Sequence, residues 1–112
     1  NFRWTKPSIS IANEANYSDG HCYAYAYKEL GIGKLVGMPV PGTCTFAGWE
    51  ALQDNSIRWG VPPVGVKGIR NEYLENAQTE PDIKLMNDYD VVIKGRDQQL
   101  EGAVNELMKQ LK

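Results

Sequence analysis

The sequence is poor in the residues that build metal and redox sites. Its 112 residues include one histidine, His21, and two cysteines, Cys22 and Cys44. The cysteines fit no zinc-ligand spacing, and a single histidine leaves too few soft ligands for a structural metal, so we expect neither a metal nor another cofactor. A disulfide would need the two Cα atoms within about 7 Å of each other. Spacing alone does not decide this, and we interpret both cysteines as free, small hydrophobic residues.

The sequence also lacks an excess of positive charge and a long apolar run. Its formal net charge is −2, and its 12 Lys and Arg residues are scattered along the chain. A nucleic-acid partner is therefore not expected. No apolar stretch approaches the roughly 18 residues that cross a bilayer, so no membrane span is expected. With 42% hydrophobic and 23% charged residues, the composition is that of one globular unit.

An initiator methionine is absent, and a strand pattern begins already at Pro7. We therefore expect residues 1–112 to be the C-terminal fragment of a single domain whose N-terminal part is absent. A domain cut in this way would expose half of its core. Such a surface predicts self-association into a homo-oligomer, or swapping of the first strand.

Hydrophobic periodicity predicts strands that alternate with helices, the pattern of an α/β fold. The first helix is expected to begin after Ser18 as its N-cap and to end before Gly31 in the C′ position. The last helix is amphipathic and follows Asp97 as its cap. The segment from Met38 to Trp49 is rich in Gly, Pro and Thr, which predicts a structured loop or irregular β-segment. The predicted strands are Pro7–Ala12, Lys34–Gly37, Ser56–Trp59, Val64–Val66 and Ile83–Met86.

Ser18 lies where the first strand gives way to the first helix. A serine on such a turn can present its Oγ at the edge of the sheet, while the free N–H groups of the helix point toward the same place and can stabilise an oxyanion. A serine before Asp-Gly at a helix start is also commonly a simple cap. Both interpretations of Ser18 stay open on these residues alone.

Several segments, taken in order, resemble one protein family. Asn13-Glu14-Ala15-Asn16-Tyr17-Ser18-Asp19-Gly20 is similar to the nucleophile segment of the tail-specific, C-terminal processing and tricorn-type serine peptidases of family S41. In that family a helix and a strand follow the nucleophile segment, and Tyr25 to Gly37 is similar to them. Val40-Pro41-Gly42-Thr43 is similar to the family's next loop. Leu74-Glu75-Asn76 with Glu80-Pro81-Asp82-Ile83, and Gly95 to Glu101, resemble later segments of the family.

The resemblance implies a fold and a set of roles. The fold would be the C-terminal portion of a Clp-peptidase and crotonase-like β-β-α spiral, with a mixed sheet and flanking helices. Ser18 would be the nucleophile, Glu75 a second catalytic residue, and the backbone N–H of Asp19 an oxyanion donor. The substrate would be a peptide or protein. The histidine base, its neighbouring serine and a second oxyanion donor lie upstream in the family, so the fragment is expected to be inactive alone.

Other interpretations stay open beside this one. His21 could replace the missing base, but three residues after Ser18 on one helix its ring should project along the helix side, so we expect a partly covered polar residue. Glu75 could belong to a solvated loop, and Asn76 to Thr79 depart from the family, which usually has a glycine there. The domain could instead be a non-catalytic ligand- or peptide-binding module, because one fold hosts many functions. Analogy favours an extracytoplasmic bacterial location.

Overall fold

A computed structural model describes residues 4–111. Three parallel strands form its central sheet in the order β1 (Ile9–Ala12), β2 (Lys34–Gly37) and β5 (Ile83–Lys84). Parallel neighbours require a crossover, and helix α1 (Asp19–Glu29) provides it between β1 and β2. Two further helices, α2 (Tyr89–Val92) and α3 (Gln98–Gln110), follow the sheet. The mixed α/β class expected from the sequence is confirmed.

The core lies where α1 and α3 pack on β1 and β2. Leu35 of β2 forms a buried cluster with Ala24 of α1, Val40 and Ala12 of β1. Val36 of β2 is fully buried as well. These small and branched side chains fit the close approach of helix to sheet. The carboxyl ends of β1 and β2 therefore lie beside the N-terminus of α1, which is the turn that contains Ser18.

The ends of the helices follow the residues expected to cap them. Gly31 has a φ of +63° just after α1, the left-handed conformation that glycine adopts without strain. At α3 the side chain of Asp97 accepts a hydrogen bond from the Leu100 N–H over 2.9 Å. Both of these predictions are confirmed. Ser18 differs, because it precedes α1 but its side chain makes no cap hydrogen bond.

Strands β3 (Phe46–Ala51) and β4 (Arg58–Val64) form an antiparallel hairpin apart from the central sheet. The prediction of two separate strands, Ser56–Trp59 and Val64–Val66, was therefore wrong, because β4 continues through Pro62-Pro63. The end of the segment predicted as a structured loop or irregular β-segment belongs to β3, whose register is irregular between Phe46 and Gly48. Prolines lack the N–H that a central strand must donate, but the described part of the chain pairs β4 on one side only, which leaves the other edge open. Most hairpin residues are exposed, including Phe46, Trp49, Trp59, Val61 and Val64.

Helix α3 contacts the sheet with only part of its apolar surface. Its buried residues are Gln99, Ala103 and Glu106, and Glu106 pairs with Lys34 of β2. The remaining apolar stripe of the helix is about half exposed or more and comprises Leu100, Val104, Met108 and Leu111. Helix α2, which the sequence did not predict, is short and joins β5 to α3. No helix among residues 4–111 is long and apolar enough to cross a membrane.

Candidate active site

Ser18 occupies an unusual backbone conformation at the turn between β1 and α1. Its φ is +52° and its ψ is −112°, in a region that residues with a Cβ rarely adopt. Such conformations cost roughly 1–3 kcal/mol and persist only where the surrounding structure holds them. A simple capping serine would have extended backbone and would bond a helix N–H through its Oγ. Ser18 does neither, so the sharp turn leaves its hydroxyl unused by the helix.

The backbone N–H groups around Ser18 divide into bonded and free donors. The Ser18 N–H donates to Thr43 Oγ1 over 3.0 Å, and the Gly20 N–H donates to the Tyr17 carbonyl over 2.9 Å. Asp19 is the first residue of α1, so its N–H has no carbonyl one turn earlier in the helix to bond. This N–H lies at the positive end of the helix dipole. It is a donor suited to an anionic oxygen beside Ser18.

A cleft of about 600 Å³ opens in front of Ser18. Ser18 and Asp19 form one part of its wall, and the beginning of the β3–β4 hairpin forms another. The side chains on the hairpin side are largely apolar and aromatic. The lining residues are Tyr17, Ser18, Asp19, Cys22, Thr45, Phe46, Ala47, Trp49 and Val66. The cleft is therefore an open groove with apolar walls and a hydroxyl at one side.

Glu75 lies beside a neighbouring hollow of about 220 Å³ that shares Tyr17, Thr45, Ala47 and Trp49 with the cleft of Ser18. Its backbone is fixed by an antiparallel bridge to Thr43. Since Thr43 also accepts the Ser18 N–H, one residue contacts the segments of both Ser18 and Glu75. The structure thus brings Ser18 and Glu75 to the same face of the molecule, in adjoining hollows.

Asn76 follows Glu75, in the segment where the resemblance led us to expect a glycine. Its φ is +58°, and asparagine tolerates this left-handed region better than other residues with a Cβ. Its N–H donates to the Gly42 carbonyl over 2.8 Å. A Cβ on Gly42 would come within 2.2 Å of the Ala77 nitrogen. The Glu75 segment is therefore packed tightly against the loop that leads to Thr43.

The other two glutamates of this region have different roles. Glu72 accepts the Tyr25 hydroxyl over 2.6 Å and lies 3.3 Å from Arg70. The hydrogen bond from Tyr25 is the main cause that lowers the pKa of Glu72. Glu80 accepts the side-chain amide of Gln78 and offers its carbonyl to Lys28. Glu72 and Glu80 thus stabilise local structure, whereas Glu75 faces a hollow.

His21 is fully buried, so the expectation of a partly covered polar side chain was wrong. Its Nδ1 accepts the N–H groups of Thr43 and Cys44 over 3.1 and 2.9 Å. Nε2 lies 2.9 Å from Thr79 Oγ1. A nitrogen that accepts two N–H groups carries no proton, which assigns the neutral ring's proton to Nε2, as the donor to Thr79. Burial lowers the pKa of His21, and neither nitrogen is left for Ser18.

The two cysteines form a disulfide, so their interpretation as free residues was wrong. Their Cα atoms are 4.9 Å apart, within the range that a disulfide needs. Cys22 is in the first turn of α1 and Cys44 follows Thr43, so two segments 22 residues apart in sequence are joined beside Ser18. The sequence held no signal for this pairing, because it depends on how Thr43 and Cys44 fold back onto the helix.

Two threonines of the site had no role in the sequence analysis. Thr43 supplies the acceptor for Ser18, although its loop had been noted only for its composition and its resemblance to the family. Thr45 lines both hollows, and within residues 4–111 its buried Oγ1 has no hydrogen-bond partner. A buried hydroxyl without a partner is costly. The described residues also contain no group of three His, Cys, Asp or Glu side chains that could hold a metal ion.

Comparisons with known proteins find similarity to peptidases over most of this chain. The model of the family described as "Peptidase family S41" matches residues 1–85. The tricorn protease of Thermoplasma acidophilum is 27% identical over 107 residues, which cover 93% of this chain and 10% of that protein. The similarity extends over nearly the whole of this chain but over only a tenth of the tricorn protease.

Solved structures show the same fold. The crystal structure of the tricorn protease superposes with a TM-score of 0.83 at 24% identity, over 94% of this chain and 10% of the other. That of a candidate peptidase from Parabacteroides merdae has a TM-score of 0.75 at 21% identity, over 94% and 33%. That of mature CPAF has a TM-score of 0.68 at 19% identity, over 93% and 19%. This chain therefore spans a third or less of each of these proteins.

Proposed function

This chain belongs to peptidase family S41, and from that premise we propose that residues 1–112 are the C-terminal part of one catalytic domain of a serine endopeptidase of the tail-specific or tricorn type. The observation that carries the proposal is the backbone of Ser18, held at a positive φ with its hydroxyl unused by the helix that it precedes. That is the conformation of a nucleophile on a sharp strand-to-helix turn.

The proposed reaction begins when Ser18 Oγ attacks the carbonyl carbon of a peptide bond. A histidine from the N-terminal part of the domain takes the hydroxyl proton, and the carbonyl oxygen becomes an oxyanion that accepts a hydrogen bond from the Asp19 N–H. The C–N bond then breaks, and the histidine gives its proton to the leaving amine. Water attacks the acyl group on Ser18 and releases the second product.

Glu75 would act through that histidine rather than on the substrate. A carboxylate near the base orients the imidazole and stabilises its protonated form. The position of Glu75 supports this role, because its hollow adjoins the cleft of Ser18 and its backbone pairs with Thr43. The exposed carboxylate has room to meet a group that comes from outside the described residues.

Residues 1–112 alone would lack a general base, since the sequence has one histidine and both nitrogens of its ring are bonded. Removal of the base in such a system typically costs several orders of magnitude in rate. Two features support docking of a further part of the domain near this site. The Thr45 hydroxyl lacks a partner within residues 4–111, and aromatic side chains of the hairpin, Phe46 and Trp49, are exposed at the cleft.

The disulfide is informative about the cellular compartment in which the protein works. Disulfides persist in oxidising environments and are uncommon in the cytosol of most organisms. Because Cys22 and Cys44 are bonded, we include in the proposal a location outside the cytoplasm, in the periplasm or beyond the cell.

The proposed function is tested by proteolysis of an unfolded protein substrate, with the full-length protein that contains this chain. Ser18→Ala is expected to lower kcat by several orders of magnitude, because the nucleophile is lost. Glu75→Gln is expected to lower kcat less, because the histidine would remain. Residues 1–112 alone are expected to show no turnover.

Ser56→Ala is the matched control, because Ser56 is an exposed serine whose hydroxyl bonds Asp54 in the loop between β3 and β4. It should cleave the substrate at the wild-type rate. A folded Ser18→Ala protein that cleaves as fast as the wild type would exclude Ser18 as the nucleophile. If a folded wild-type protein binds peptides without cleaving them, the chain belongs to a binding module.

A further inference from the structure

The disulfide joins the two segments that hold the nucleophile turn. On the helix side, Cys22 lies one turn after Ser18, and the Ser18 carbonyl accepts the Cys22 N–H over 3.1 Å. On the loop side, Cys44 follows Thr43, whose Oγ1 accepts the Ser18 N–H. The disulfide therefore links covalently the two segments that form hydrogen bonds with Ser18. One end of the disulfide, Cys22, bonds Ser18 itself, and the other end, Cys44, follows the residue that accepts the Ser18 N–H.

The same two segments are also joined by His21. The N–H groups of Thr43 and Cys44 both donate to its Nδ1, so the loop is held to the helix by one covalent bond and several hydrogen bonds. A backbone at an unfavourable φ relaxes unless its surroundings hold it in place. The residues that restrain the segments on either side of Ser18 thus also restrain the direction of its Oγ and of the Asp19 N–H.

The two sulfur atoms differ in access. Cys44 is 1% exposed, whereas Cys22 is partly exposed and lines the cleft in front of Ser18. A thiol that enters the cleft would therefore reach the disulfide from the Cys22 side. A peptide bound in the cleft would cover that approach.

We infer that the Cys22–Cys44 disulfide is a positioning crosslink that holds Ser18 in its reactive conformation, and that its reduction by a dithiol lowers the reactivity of Ser18. This inference rests on the proposed function of Ser18. In the reduction the S–S bond breaks, and Cys22 and Cys44 each gain one electron and one proton to become thiols. The dithiol supplies both electrons and both protons and is oxidised to its own disulfide.

The experiment measures the rate at which a fluorophosphonate labels Ser18 in the full-length protein, before and after treatment with dithiothreitol. Misplacement of a reacting group by about 1 Å can cost on the order of a hundredfold, so we expect labelling to slow by about tenfold or more on reduction. Titration of free thiols confirms that the bond is broken. Reoxidation should restore the original rate, which general damage to the protein would not allow.

The double variant Cys22→Ala/Cys44→Ala separates this effect from other actions of the reductant. It should label slowly in both buffers and be insensitive to dithiothreitol. Labelling is measured well below the unfolding temperature of each protein, so a purely structural loss of stability would lower that temperature without changing the rate.

Two results would overturn the inference, and they differ in what they mean for the proposed function. If the reduced protein or the double variant labels as fast as the oxidised wild type, the disulfide does not position Ser18, and the proposed function stands. If the oxidised wild type does not label at Ser18 at all, the proposed function fails and the inference fails with it.

Discussion

Thr43 offers a sharp test of how the backbone of Ser18 is held, because its hydrogen bond to Ser18 is made by one side-chain atom, Oγ1. Thr43→Val removes Oγ1 and keeps the branched shape of the side chain. The Ser18 N–H then loses the acceptor that lies 3.0 Å away. A partly buried N–H left without an acceptor costs about 1–3 kcal/mol. Relaxation of the Ser18 φ from +52° would satisfy the donor elsewhere and move Oγ away from the cleft.

The size of the effect follows from this cost. If the active conformation of Ser18 loses about 1–3 kcal/mol relative to relaxed ones, and each 1.4 kcal/mol or so is tenfold in rate, labelling by a fluorophosphonate should slow by about five- to a hundredfold. The rate constant is measured in the full-length protein at a temperature where both proteins are folded.

Thr43→Ser is the matched control, since it keeps the hydroxyl and removes only a methyl group. It should label within about threefold of the wild type, because a preserved hydrogen bond keeps the donor satisfied. Equal labelling rates for Thr43→Val and the wild type would show that this hydrogen bond does not hold the turn, and would refute the reasoning.

Three further changes test other parts of the structure. Burial lowers the pKa of His21 below its usual value of 6.5. The contribution of neutral His21 to folding stability is therefore complete above pH 6.5 and is lost as the pH falls below that value. Acid should lower the free energy of unfolding more in the wild type than in His21→Asn. Gly37→Ala should destabilise by about 2 kcal/mol or more in denaturant unfolding, since its φ is +129° and a Cβ would lie 1.9 Å from the Ala12 carbonyl oxygen; an unchanged midpoint would contradict this close contact. Asp97→Ala should lower that midpoint, because the Leu100 N–H loses its cap, and Asp97→Asn, which retains an oxygen acceptor, should lower it less.

The central strands and the two longer helices could be predicted because their signals are local. Gly31 and Asp97 mark helix ends through their own backbone and side chain, and the apolar residues of β2 are contiguous. The hairpin could not be predicted, since Pro62 is excluded from central strands and only the edge position of β4 allows it. Its identification required knowledge of which strand pairs with which.

Some features of the candidate site could likewise be predicted from the sequence, and others could not. Ser18 was recognisable from its place at a strand-to-helix turn and from the resemblance of its segment to the family. Its positive φ was not, because the Ser18 N–H bonds a residue 25 positions away in the sequence, Thr43. The disulfide and the burial of His21 likewise follow from the return of the Thr43–Cys44 segment to α1. Contacts between distant segments leave no local pattern in the sequence.

The central claim is that Ser18 is a nucleophile activated by groups outside residues 1–112, and fluorophosphonate labelling with peptide mapping tests it most directly. The full-length protein, residues 1–112 alone and full-length Ser18→Ala are treated in parallel. The account predicts an adduct on Ser18 in the full-length protein, and none in the other two. A folded full-length protein that leaves Ser18 unlabelled would contradict the account, and an equally fast adduct on residues 1–112 alone would contradict the need for an external base.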